Sequence, residues 1–140
     1  VSQTNLRPGR RPRPRRETPA DCVFCQRIKA EDYDFAWLGG VSFEPLNPVT
    51  PGHRLFVSRD HESPLDNPYA YHREAPEPRG VGGVLPLFDM WRKDQGITGD
   101  YNLILNAGPT ATQTIEHLHL HYIPRRADDG LTLPWTGQQR

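Results

Sequence analysis

The sequence predicts a domain of mixed helices and strands, with the strands in the majority. Three observations lead there. In His117-Leu118-His119-Leu120-His121-Tyr122-Ile123 the polar and apolar residues alternate with a period of two, the pattern of a half-buried strand. Residues 35–38, 39–40 and 41–43 read as strand, turn and strand. Val84, Leu87, Phe88 and Trp91 recur at i, i+3, i+4 and i+7, which makes one apolar helical stripe.

A chain of 140 residues is long enough for one domain with a real core. No apolar run approaches the ~18 residues of a membrane span. The basic N-terminus lacks the apolar stretch of a secretory leader. With only two cysteines besides, a structural disulfide is not expected, and the chain is expected in the cytoplasm. Formal net charge is zero, but its distribution is uneven. Residues 1–20 hold six arginines against Glu17, a balance of +5, while the other 11 basic and 16 acidic residues give −5. Arg7, Arg10, Arg11, Arg13, Arg15 and Arg16 are interleaved with Pro8, Pro12, Pro14 and Pro19. Proline opposes helix and like charges repel, so residues 1–20 are expected to form a disordered arm and residues 21–140 the folded domain. The arm is either a solubilising tail or a nonspecific contact to nucleic acid.

Asp21 suits the N-cap of a short helix running to about Ala30. Cys22 and Cys25 lie at C-x-x-C spacing in it, either a redox pair or half of a zinc site. After the strand pair at 35–43, residues 44–52 are a loop of turn formers, and residues 53–58 are the next strand, with His61 just beyond it. Residues 62–80 contain four prolines and are expected to form a loop. The apolar stripe follows, with Pro86 suited to the first turn of its helix and Gly96 to its end. Tyr101 to Leu105 is a strand. The small polar loop 106–114 can offer backbone N–H groups and short side chains to an anion.

Alternation puts His117, His119 and His121 on one face and Leu118 and Leu120 in the core. Neighbouring histidines on that face stand roughly 6.5–7 Å apart. An isolated histidine on a strand is ordinarily just a polar surface or hydrogen-bonded residue. Three in a row point to chemistry, either as metal ligands or as a nucleophile with its proton partners.

The run Gln113-Thr114 followed by His117-Leu118-His119-Leu120-His121-Tyr122-Ile123 resembles the signature of the histidine triad (HIT) superfamily. Pro51-Gly52-His53-Arg54-Leu55 resembles the family's Pro-Gly-His-x-Leu strand, and Cys22-Val23-Phe24-Cys25 the C-x-x-C of many members. The resemblance spans about residues 21–126. It implies an α+β fold, an antiparallel sheet with helices packed on it, paired as a homodimer. It further implies a nucleotide hydrolase or transferase that attacks the α-phosphate of a purine nucleotide or nucleotide conjugate, such as a dinucleoside polyphosphate or nucleoside phosphoramidate. By the same resemblance His119 is the nucleophile, His121 contacts phosphate and assists the leaving group, His53 helps orient the cluster, and His117 counts with them as a catalytic candidate. Asn106, Gln113, Thr114 and Thr112 are the phosphate-binding candidates, and Glu44 and Leu46 belong to the nucleotide-contacting loop. A structural zinc on Cys22, Cys25, His61 and His117 is also implied, with no catalytic metal required. Covalent catalysis fits the residue type. A neutral imidazole has one ring nitrogen free to attack if the other gives its proton to an acceptor, and a strand carbonyl can be that acceptor.

Two positions depart from the family pattern. Pro45 stands where an acidic residue commonly contacts ribose, and Thr112 stands where glycine is usual. They leave room for a second class, a nucleotide-binding or adaptor protein with little turnover, and the histidine row itself leaves a third, a zinc-dependent hydrolase using the three histidines directly.

Overall fold

The computed structural model describes residues 16–65 and 79–138. Five strands form one antiparallel sheet: β1 (Phe35–Trp37), β2 (Gly40–Phe43), β3 (Arg54–Ser58), β4 (Tyr101–Leu105) and β5 (His119–Pro124). Their spatial order is β1-β2-β3-β5-β4, so the histidine strand β5 is internal, bonded to β3 and β4. Helix α1 (Val23–Lys29) and helix α2 (Val81–Gln95) complete the α+β fold.

Each face of the sheet buries a separate core. On one face Phe56, Leu118, Leu120 and Tyr122 meet Val84, Leu87, Phe88 and Trp91 of α2. The helical stripe and the alternate leucines thus find each other, and each such side chain contributes about 1.5–3 kcal/mol by leaving water. On the other face Val41, Phe43, Leu55 and Val57 meet Cys22 and Phe24 of the α1 segment. Register puts Val57 opposite His119 and Leu55 opposite His121. The catalytic-candidate histidines therefore share the α1 face, and the leucines between them face α2.

Two helix termini differ from expectation. Cys22, not Asp21, caps α1: its sulfur accepts from the Cys25 N–H at 3.4 Å. Asp21 instead accepts from the Thr18 hydroxyl at 2.8 Å. Helix α2 begins at Val81, so Pro86 falls in its second turn. The carbonyl that Pro86 leaves unbonded is that of Gly82, an exposed residue open to solvent. Close packing explains the early start. A Cβ on Gly39 would collide with the Gly83 backbone, so the β1–β2 turn and the first turn of α2 meet as bare backbone. Gly96 ends α2 in the left-handed conformation, as expected.

The end of the expected arm lies on the body of the domain. Arg16 and the Glu17 amide both bond the Glu116 carboxylate at 2.9 Å. Residues 1–15 lie outside the described residues, as does most of the proline-rich loop, 66–78. Among the described residues no helix is long and apolar enough to cross a membrane.

Candidate functional site

His119 opens β5 and is buried. Its Nδ1 lies 2.7 Å from the His117 carbonyl oxygen. A carbonyl only accepts, so Nδ1 carries the proton and Nε2 keeps its lone pair. Burial lowers the basicity of this ring, which favours the neutral, nucleophilic form. The Phe24 ring stands edge-on to it, with centroids 5.1 Å apart.

Two strands bring His53 and His121 together. His53 Nε2 and His121 Nδ1 are 2.9 Å apart. His53 Nδ1 accepts from the Val49 N–H at 3.1 Å, so its proton is on Nε2 and is donated to His121. His121 then carries its own proton on Nε2. Burial first, then the neighbouring His119 and His53, push His121 down to about 4, and burial lowers His53. The His121 and His119 rings are in contact, with centroids 4.9 Å apart.

His117 lies just before β5 and takes a different direction. It is fully buried, and its Nε2 donates to the Ser58 carbonyl at 2.6 Å. Its Nδ1 faces Cys22 Sγ and Cys25 Sγ, each at 3.4 Å. Cys25 Sγ is also 3.3 Å from His61 Nδ1, and His61 Nε2 donates to the Glu17 carbonyl at 3.0 Å. Both histidines thus spend one N–H on a backbone carbonyl and aim the other nitrogen at the thiols. The four ligand atoms lie within 4.8 Å of one another. A tetrahedral zinc with two sulfurs and two nitrogens has S···N edges of about 3.5 Å, so this donor set fits the ion.

Among the described residues the three-histidine row is not one of the groups placed to share a metal ion. His117 Nδ1 faces sulfur, while Nδ1 of His119 and of His121 is engaged with a carbonyl and with His53. Alternation predicts a shared face but not where each ring nitrogen points. Among the described residues, the only group built to hold a metal is the Cys/His set.

The loop candidates are distributed unevenly. Asn106 follows the Leu105–Leu120 pair, which places it opposite His119 in register. Gln113 is turned onto its own loop: Oε1 accepts from Gly108 N–H at 2.8 Å and Nε2 donates to the Glu116 carbonyl at 2.9 Å. A phosphate contact by Gln113 would replace one of these bonds. Thr114 is exposed and flanks the loop. Thr112 takes φ 66°, a left-handed conformation that favours glycine and strains a β-branched residue. Glu44 and Leu46 are exposed on the loop after β2, Leu46 at 90%. That loop is tied to the histidines through the Val49 N–H. Spacing alone gives no sign of Phe24 as a wall of the His119 ring, or of Ser58, Glu17 and Glu116 as anchors. Phe24 lies between the two cysteines, and only that placement marks it. The anchors act largely through backbone atoms and leave no pattern.

Comparison with known proteins agrees with this geometry. A family model for the HIT domain matches residues 40–128. The adenosine 5'-monophosphoramidase HNT1 of Saccharomyces cerevisiae is 29% identical over 125 residues, covering 86% of this chain and 73% of that protein. The adenosine 5'-monophosphoramidase HNT1 of Candida albicans is 30% identical over 131 residues, covering 85% and 80%. The crystal structure of the histidine triad nucleotide-binding protein from Candida albicans superposes with a TM-score of 0.63 at 25% identity, covering 85% of each chain. The chain belongs to the HIT family of histidine triad nucleotide hydrolases.

Proposed function

We propose that this enzyme cleaves a nucleotide at its α-phosphorus in two steps, through a nucleotidyl-His119 intermediate. His119 Nε2 attacks phosphorus, the leaving group departs, and water then displaces the imidazole. Dividing one displacement in this way lowers each barrier. The observation that carries the reading is the His119 Nδ1 to His117 carbonyl bond, 2.7 Å long, which commits the proton to Nδ1 and leaves a lone pair on Nε2 of a ring held by a rigid strand. The His121 Nε2–H beside it supplies a donor for a phosphoryl oxygen or the leaving atom. Nucleoside phosphoramidates, the substrates named for the yeast relatives, come first, and dinucleoside polyphosphates second. Asn106 and the 112–114 loop flank the phosphate in this reading, and Glu44 and Leu46 flank the nucleoside. The test is acid quench of enzyme mixed with an adenylyl phosphoramidate, followed by mass analysis. A nucleotidyl adduct on the peptide holding His119 is expected, and an adduct on another residue refutes the assignment.

Zinc on Cys22, Cys25, His61 and His117 belongs to the same proposal, in a structural role. Closed four-ligand coordination leaves no open position for chemistry on the ion. In the protein alone, burial pushes the Cys22 thiol up to about 12, and a bound dication reverses that by favouring thiolate. The ion would join α1, the end of β3 and the entry to β5.

Homodimerisation is supported by β1 and β4 standing as edge strands of the sheet among the described residues and by Trp135, 66% exposed. Light scattering at micromolar concentration should give twice the chain mass, and a monomer would exclude it. Contact of the arginine-rich N-terminal segment with nucleic acid rests on charge alone. Location in the cytoplasm rests on the sequence reading.

A further inference from the structure

The two histidines of the Cys/His set are not equally secured. His117 is fully buried, and its N–H is held by Ser58 inside the sheet. His61 sits past the end of β3, in a segment without helix or strand, and is only half-buried. The Glu17 carbonyl is the acceptor for its Nε2–H. The geometry of one ligand therefore rides on the backbone of residue 17.

Residue 17 is fixed in turn by Glu116. That carboxylate takes the Glu17 N–H on one oxygen and the Arg16 guanidinium on the other, by Nε and by a terminal nitrogen, all at 2.9 Å. Charge-assisted bonds to one carboxylate are the strong kind. Glu116 is also a loop residue. Its carbonyl receives Gln113 Nε2, Gln113 Oε1 receives the Gly108 N–H, and His117 is the next residue. The Glu17 side chain adds a separate observation. Its Oε1 is buried and has no hydrogen-bond partner among the described residues. The carboxylate stands beside Cys22 and Cys25. A buried carboxylate oxygen without a donor calls for positive charge close by, and a dication on the Cys/His set supplies it.

We propose that Arg16 and Glu17 form a positioning clamp which, through Glu116, holds His61 in its ligand orientation and couples the metal centre to the loop carrying Gln113. This rests on the zinc reading above. Outer-shell partners of a ligating histidine fix its tautomer and ring direction, and their loss weakens metal binding by about 10–100-fold. Glu116 touches no ligand atom, yet it sets the seat of the segment that does. The coupling runs both ways, because a loaded centre holds His61, and with it Glu17 and the Glu116 carboxylate.

The experiment measures zinc affinity by competition with a chromophoric chelator for the full-length protein, Glu116→Ala and Glu116→Gln. The absorption bands of the cobalt-substituted proteins report ligand geometry, and circular dichroism reports folding. Glu116→Ala should bind zinc about 10-fold more weakly or worse and show altered cobalt bands. Glu116→Gln, which keeps one acceptor oxygen, should fall between it and the parent. At limiting zinc the KM of Glu116→Ala should rise, and excess zinc should restore it. A variant that folds and binds zinc within about twofold of the parent overturns the clamp. If Glu116→Ala does not fold, Glu116→Gln decides on the same scale. A parent that binds no zinc overturns the four-ligand reading instead, and the clamp with it.

Discussion

His53 Nε2 donates to His121 Nδ1 across 2.9 Å, so the two rings lie on one hydrogen-bond chain that begins at the Val49 N–H. The bond joins the entry of β3 to β5 on the α1 face and sets the tautomer of the ring beside His119. Acid sensitivity follows. Unfolded, both histidines titrate near 6.5, whereas in the fold His121 is pushed down to about 4 and His53 is lowered too. Between those values the unfolded chain binds more protons, so stability is full above about pH 6.5 and falls as pH drops toward 4. Thermal melts from pH 8 to 4 should show this fall, with a shallower slope for His121→Asn. Equal slopes would place the sensitivity elsewhere.

Removing the proposed nucleophile should separate chemistry from folding. His119→Ala is expected to lower kcat by about a thousandfold or more. Its melting temperature should drop only modestly, since one buried hydrogen bond is lost, worth about 1 kcal/mol. Steady-state rates and melts on the same preparation check both halves. A rate within tenfold of the parent would move the attack to another residue.

Thr112 gives a prediction of opposite sign. Its φ of 66° costs a β-branched residue more than it costs glycine. Thr112→Gly should stabilise the protein by about 0.5–1 kcal/mol, the relieved strain outweighing the added freedom of the unfolded chain. Urea denaturation reads this directly. A loss of stability would mean that the Thr112 side chain makes a compensating contact.

Zinc removal should be felt in folding before it is felt in chemistry. Strong chelation is expected to lower the melting temperature on the order of 10 °C. Cys22→Ser should purify without the ion yet lose less activity than His119→Ala. Elemental analysis with paired melts tests this, and a chelated protein that melts unchanged would return the four residues to ordinary packing.

Much of this was legible from the chain alone. Alternation gave β5 and its two faces, and the 3.6-residue stripe gave the buried side of α2, because both patterns come from burial, which the sheet enforces. Cys22, Cys25, His61 and His117 were named as one set through the family resemblance, since four residues scattered over 95 positions have no local signal. The start of α2 was misjudged because Gly82, Gly83 and Pro86 disfavour helix locally, while contact with Gly39 and the sheet overrides them. The cap of α1 was misjudged by one residue because sulfur took a role usually given to a carboxylate. Gln113 closing its own loop, and Glu17 serving through its carbonyl, depend on folded backbone that no spacing reveals.

His117 holds two offices that chemistry can pull apart. Its side chain points to the cysteines, while its main-chain carbonyl takes the His119 ring N–H. Every amino acid owns a carbonyl, but few offer a nitrogen lone pair to a metal. The proton state of His119 is therefore indifferent to which residue occupies position 117, provided the backbone there keeps its place. A lineage could abandon the cysteines and this imidazole together and retain the nucleophile, on condition that something else pins the same peptide unit.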